Sequence, residues 1–200
     1  WAGAYRGVEV IESNAVAVDN NENVFTTGTF KSTVDFDQGP GVYNMTSIGD
    51  QDIFIVKHDA DGNFIWAKQF GFTTYATGKG FSIVTDDQGA IYITGQYTFT
   101  QDFDPGPAIY NLTTNGGVDC FVLKLDANGD FVWAKSIGSN GADVGYAIKS
   151  DNNGNVIVAG EFRRTVNFDP GVSDFTLSTE NETIDVFVWK LTANGDFVWV

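Results

Sequence analysis

The chain has 200 residues, with 26 acidic against 11 basic side chains, a formal charge of −15 and a pI near 4.1. Such a balance leaves no basic footprint for phosphate backbones, so nucleic acid is not an expected partner. No apolar run reaches the ~18 residues of a membrane-spanning helix, which argues against membrane insertion.

In chain order, the first strong element is a hairpin over Ala15 to Phe30, echoed over Ser82 to Tyr97 and Ala147 to Phe162 with Asp19, Asp86 and Asp151 in register. Gly28, Gly95 and Gly160 close its second strand, where a bulge or a close backbone approach is expected. Glu22 stands where Gly89 and Gly154 carry the turn, which predicts a different turn type in the first copy.

A linking segment of roughly 25 residues follows, reading TVDFDQGPG at Thr33, TQDFDPGPA at Thr100 and TVNFDPGVS at Thr165. It runs into a polar, β-prone stretch beginning at Tyr43, Tyr110 and Phe175. Two-residue alternation puts Asp35 and Asp37 on one side of an extended chain, as it does Asp102 and Asp104. Two uses are open: carboxylates presented to Ca²⁺, with Asp169 from the third copy, or Asp37, Asp104 and Asp169 bonding to the backbone of the following turn. The second is favoured.

The dominant element is a second hairpin: Asp52 to Lys68, Asp119 to Lys135, and Asp185 to Val200. An apolar run meets a short Asp/Asn/Gly turn and then a second apolar run ending in Trp, the hairpin pattern. Gly62, Gly129 and Gly195 are placed to take positive φ in the turn. Trp66, Trp133 and Trp199 each follow their glycine by four positions. Lys57, Lys124 and Lys190 lie in strands otherwise apolar on both faces, so each must reach water or find a partner. An ion pair between strands or blades is expected, with Asp52, Asp119 and Asp185 as one acid per repeat. The loop DADGN at Asp59 opens like a calcium loop but lacks the closing Glu, and reads as a turn. His58 aligns with Leu125 and Leu191, and Cys120 with Ile53 and Val186, so both are expected to pack rather than react.

The period of about 66 residues lies in the range of stacked or radial repeat folds, and helical periodicity is absent. Four antiparallel strands per unit, too few to bury both faces alone, is the logic of propeller blades. The expected fold is all-β: a β-propeller of three four-stranded blades, cut as 1–66, 67–133 and 134–200 in one continuous array. Three blades do not close a ring, so an arc of a larger propeller is predicted, completed by further blades of the same chain or by a second copy. Trp1 opens the chain in the phase of Trp199, as in a window from a longer protein.

The combined pattern, GxxNVxxTGxF, VDFDPG and DxFVxKLDANGxFVWAK, resembles the bacterial β-propeller repeat of the SBBP type, close to versions in surface and secreted proteins of Bacteroidetes. The resemblance implies a secreted or cell-surface protein, in many cases a type IX secretion substrate, with an adhesive or interaction-bearing role and no catalytic residues to carry over. Departures are Gln38 for Pro105 and Pro170, Asn167 for Asp35 and Asp102, and Thr192 for Asp59 and Asp126. A weaker likeness to quinoprotein propellers implies that the three Trp side chains dock on neighbouring blades. The expected function is a non-enzymatic scaffold or adhesin with no cofactor, its partners being surface glycans or other surface and secretion proteins. The alternative is a fragment of a glycan-active or quinone-dependent propeller enzyme.

Overall fold

The computed structural model describes residues 2–200 apart from Phe72, Asn152, Pro170, Val172 and Glu182. The expectation attached to Trp1, and Pro170 of the third linking segment, lie outside the described residues. Among those residues the chain contains strands and turns but no helix, hence none long and apolar enough to cross a membrane.

The strands in order are β1 (Arg6–Gly7), β2 (Ile11–Val18), β3 (Val24–Phe30), β4 (Thr33–Asp35), β5 (Asn44–Thr46), β6 (Asp52–His58), β7 (Phe64–Phe70), β8 (Gly78–Thr85) and β9 (Ile91–Asp102). They continue as β10 (Asn111–Leu125), β11 (Phe131–Ile137), β12 (Val144–Ser150), β13 (Val156–Arg163), β14 (Thr165–Asn167), β15 (Thr176–Ser178), β16 (Ile184–Leu191) and β17 (Phe197–Trp199). They form antiparallel four-stranded sheets ordered β2-β3-β6-β7, β8-β9-β10-β11 and β12-β13-β16-β17. The linking segment is not merely extended, because it folds back as a small hairpin of its own. That hairpin is β4–β5 in the first unit, the prolonged ends of β9 and β10 in the second, and β14–β15 in the third. β1 adds to β4 rather than to a four-stranded sheet.

Gly28, Gly95 and Gly160 sit where the register slips between the first two strands of each sheet. A Cβ there would strike the carbonyl of Glu12, Lys79 or Val144, so the bulge requires the bare backbone.

Each hairpin turn is closed the same way. Asp59 Oδ1 accepts the amides of Asp61 and Asn63, and Asp126 Oδ1 those of Asn128 and Asp130. Where Thr192 replaces the aspartate, its hydroxyl oxygen accepts the matching amides of Asn194 and Asp196. The first copy does not differ in turn type. Glu22 takes φ 61°, beside 82° and 73° at Gly89 and Gly154, and its amide reaches the Asp19 carbonyl at 3.0 Å as theirs reach Asp86 and Asp151. Tertiary pairing imposes the left-handed conformation on a residue that does not prefer it.

The cores lie between sheets. One cluster joins Phe25, Ile53 and Ile55 of the first sheet to Ile83, Ile93 and Leu123 of the second. Another joins Cys120, Val122 and Trp133 of the second to Ile148, Val158 and Trp189 of the third. The first sheet's other face is filled by its inserted hairpin, through Val34, Phe36 and Met45, and by Tyr5. On the third sheet the equivalent of the docking face is bare: Val186 is 83% exposed, where its counterparts Ile53 and Cys120 are 1% and 0%.

Candidate functional site

The acidic loops come first, because their residue types invite a metal. Asp35 Oδ1 accepts the amides of Asp37, at 3.1 Å, and Tyr43, at 2.8 Å. Asp102 takes those of Asp104 and Tyr110, and Asn167 those of Asp169 and Phe175. Asp37, Asp104 and Asp169 each accept the amide two residues on, from Gly39, Gly106 and Gly171. An oxygen acceptor suffices for this work, so Asn167 performs it without charge. Among the described residues no group of three or more His, Cys, Asp or Glu converges as a metal centre.

In the first and third units the hairpin turn leaves a groove beside this loop. In the first unit a cavity of about 280 Å³ lies between Asp37 to Gly41 and Gly62 to Phe64. In the third a cavity of about 180 Å³ uses the equivalent Asp169, Gly171, Gly195, Asp196 and Phe197, with Lys135 at its edge. Every unit flanks this place with an aromatic pair: Tyr43–Phe64 at 5.0 Å, Tyr110–Phe131 at 4.6 Å and Phe175–Phe197 at 5.2 Å between ring centroids. The leading rings remain exposed by 41%, 37% and 42%. Carboxylate and amide oxygens beside half-open rings can hydrogen-bond hydroxyl groups while the ring covers apolar C–H surface.

The tryptophans and lysines serve the sheet-to-sheet joint. The Trp66 ring lies against Gly129 of the next turn, and Trp133 against Gly195; a Cβ on either glycine would press on the ring. Trp133 Nε1 donates to the Ala193 carbonyl at 3.1 Å. Trp199 has no described turn beyond it and is 43% exposed.

The lysines find their partners outside their own strand, as expected, but among the described residues none of these is Asp52, Asp119 or Asp185. Lys57 and Lys124 donate to the carbonyls of Ala127 and Ala193 in the next turn, at 3.3 and 2.9 Å, and each lies 5.0 Å from the ring centroid of Phe25 or Tyr92. Burial pulls Lys124 below its ordinary pKa, and Asp86 opposes that pull. Among the described residues Lys190 is the one of the three in an ion pair, 3.0 Å from Asp151. The Asn155 amide, and then Lys190, hold the Asp151 carboxyl below its ordinary pKa.

Asp52 and Asp119 are instead fully buried. Asp52 accepts the amides of Ile48 and Gly49, and Asp119 that of Asn115. These side chains turn back to the stretch that precedes them rather than toward a lysine. Asp185, their third-unit counterpart, is exposed.

His58 is buried against Tyr5 and Phe64, and burial lowers its pKa. Cys120 is buried and its thiol is pushed up to about 12, chiefly by desolvation, so it is inert at neutral pH. Two buried polar residues escaped the repeat pattern. Gln101 occupies the place of Val34 and Val166, and Asp143 that of Gly78. Departure from the repeat at a buried position is the signal that would have found them.

No protein-family profile matches the chain. Over an alignment of 231 positions covering all of it, the chain is 26% identical to an uncharacterized WD repeat-containing protein of Acanthamoeba polyphaga mimivirus. Over 112 positions, 56% of the chain, it is 27% identical to the regulatory protein FlaEY of Caulobacter vibrioides. The chain spans 16% and 12% of the lengths of these two proteins. A WD-repeat relative together with several antiparallel four-stranded sheets is consistent with a β-propeller, and the chain is a repeat-containing scaffold.

Proposed function

We propose that this chain is a non-enzymatic scaffold within a secreted or cell-surface bacterial protein of the SBBP-repeat type, exported by the type IX pathway. Its three sheets act as blades forming an arc of a larger propeller, and each blade presents the same small interaction surface. One observation carries the reading: Asp35, Asp102 and Asn167 perform the same loop-holding bonds, while Tyr43, Tyr110 and Phe175 stand half-exposed beside them. Repetition of this kind suits multivalent contact, in which weak sites add through linkage. The partner class is a surface glycan or a surface protein, met by aromatic faces with polar rims. Further blades or a second copy cover the bare face at Val186.

The test replaces Tyr43, Tyr110 and Phe175 together by Ala and measures binding to outer-surface glycan and protein preparations, with circular dichroism as the folding control. Loss of binding in a folded variant supports the proposal. Undiminished binding rejects the aromatic strip as the contact surface, and turnover of a glycoside or a quinone-linked alcohol by the unaltered chain rejects the non-enzymatic reading.

A further inference from the structure

The junctions between successive sheets share one bridge pattern and differ in charge at the residue after it. A single parallel bridge joins Gln51 to Thr77 at the first junction and Val118 to Ala142 at the second. The next residue on each side is Asp52 with Gly78 at the first, but Asp119 with Asp143 at the second. At the second junction the Asp143 amide donates to the Val118 carbonyl at 2.7 Å, locking the two strands together. Both residues are fully buried, and the Asp143 charge acts on the Asp119 carboxyl.

Their hydrogen bonding is unequal. Asp143 is well supplied: the Ser139 amide and hydroxyl donate to Oδ2 at 2.7 and 3.0 Å, and the Arg163 amide to Oδ1 at 2.9 Å. Asp119 Oδ2 accepts the Asn115 amide at 3.0 Å, while Oδ1 is buried without a partner among the described residues. Its counterpart Asp52 has an amide on each oxygen. Before Asp119, β10 runs through a register irregularity between Thr113 and Val118, whereas a loop separates β5 from Asp52. Gly138 packs so closely on the Asp119 carboxyl that a Cβ would collide with it. An ionised, buried oxygen with no donor beside a second carboxylate is strongly disfavoured; protonation removes that charge.

We propose that Asp119 keeps a proton in the folded chain beside Asp143, making the junction of the second and third sheets a proton-held latch that loosens as the pH rises. The other titratable groups facing the pair are Tyr97 of β9, Cys120 of β10 and Arg163 at the end of β13. Burial raises both the Tyr97 hydroxyl and the Cys120 thiol, so neither carries charge near neutrality. Arg163 lowers Asp143 through its charge, but this is the smallest of the influences there, and burial keeps Asp143 above its ordinary value. Asp119 is pushed up to about 7, by burial first and then by Asp143 against the single Asn115 amide. Its folded pKa thus exceeds its unfolded value, so the folded chain binds more protons between the two. Stability from this group is fully present below the unfolded pKa and is lost as pH rises through about 7.

The test is the unfolding equilibrium of the chain between about pH 5 and about pH 8, for the unaltered protein, Asp119→Asn and Asp143→Asn. One extra bound proton makes the folding constant fall by up to about tenfold per pH unit on approaching pH 7. Asp119→Asn should remove that slope, and Asp143→Asn should shift it to lower pH. Carboxyl carbon NMR on the folded chain gives a second readout independent of variant stability, in which one aspartate titrates near neutrality. Equal slopes in the unaltered protein and Asp119→Asn, or both carboxyls ionised at about pH 5 by NMR, would overturn the proposal. So would a titration abolished by excess calcium, which would make the occupant a cation.

Discussion

Replacing Trp133 by Ala probes the joint between sheets directly. The ring is 8% exposed, rests on Gly195, lies 6.2 Å from the Tyr92 ring and donates Nε1–H to the Ala193 carbonyl. A Trp side chain buries about 200 Å², so at roughly 25 cal/mol per Å² the burial is worth up to about 5 kcal/mol. Relaxation of the site brings the expected loss to about 3–5 kcal/mol, the range for large buried aromatics. Trp133→Phe keeps a ring on Gly195 and removes one of two donors to the Ala193 carbonyl, which Lys124 still serves, and should cost about 1 kcal/mol. Lys135→Ala, two residues along the same strand and only partly buried, should cost about 0.5 kcal/mol or less. Trp199→Ala, in the same register but without a described turn to rest on, should cost well under half the Trp133 value. Urea unfolding of the four variants, followed by tryptophan fluorescence and circular dichroism, gives the differences. If Trp133→Ala and Lys135→Ala lose the same small amount, the Trp ring does not hold the sheets together.

Glu22→Gly should stabilise the chain by about 1 kcal/mol, because φ 61° costs a glutamate what it does not cost a glycine; a loss of stability on denaturation would contradict the imposed turn. Asp35→Asn should be nearly neutral, since Asn167 already does the same work, whereas Asp35→Ala removes the acceptor of two amides and should cost roughly 1–2 kcal/mol. A calorimetric titration in which Asp35→Asn removes calcium binding would instead favour the metal reading of these loops.

The parts of the fold legible in the sequence are those specified over a few residues. The Asp-Ala-Asn-Gly turn, the apolar strands beside it and the bulge glycines carry their own chemistry, and they stand where the pattern puts them. The inserted hairpin was not legible, because β4 and β5 are short and polar and pair across a loop. The Lys57 and Lys124 partners were missed for another reason: they are backbone carbonyls of the next unit, and a carbonyl has no signature in side-chain spacing. Asp143 breaks the repeat, standing where Gly78 does, so recurrence does not mark it. The grooves near Asp37 and Asp169 combine loops from separate strands, so only their acidic halves could be anticipated.

The central claim is that successive sheets dock through one recurring face, and that the bare copy of that face seeks another sheet. Light scattering on the purified chain, beside a variant carrying Val186→Lys and Val188→Lys, tests it most directly. Val186 and Val188 are 83% and 48% exposed where Ile53 and Ile55 are buried, so the unaltered chain should self-associate and the lysine variant should be monomeric. A stable, cooperatively folded monomer of the unaltered chain at all concentrations would contradict the account.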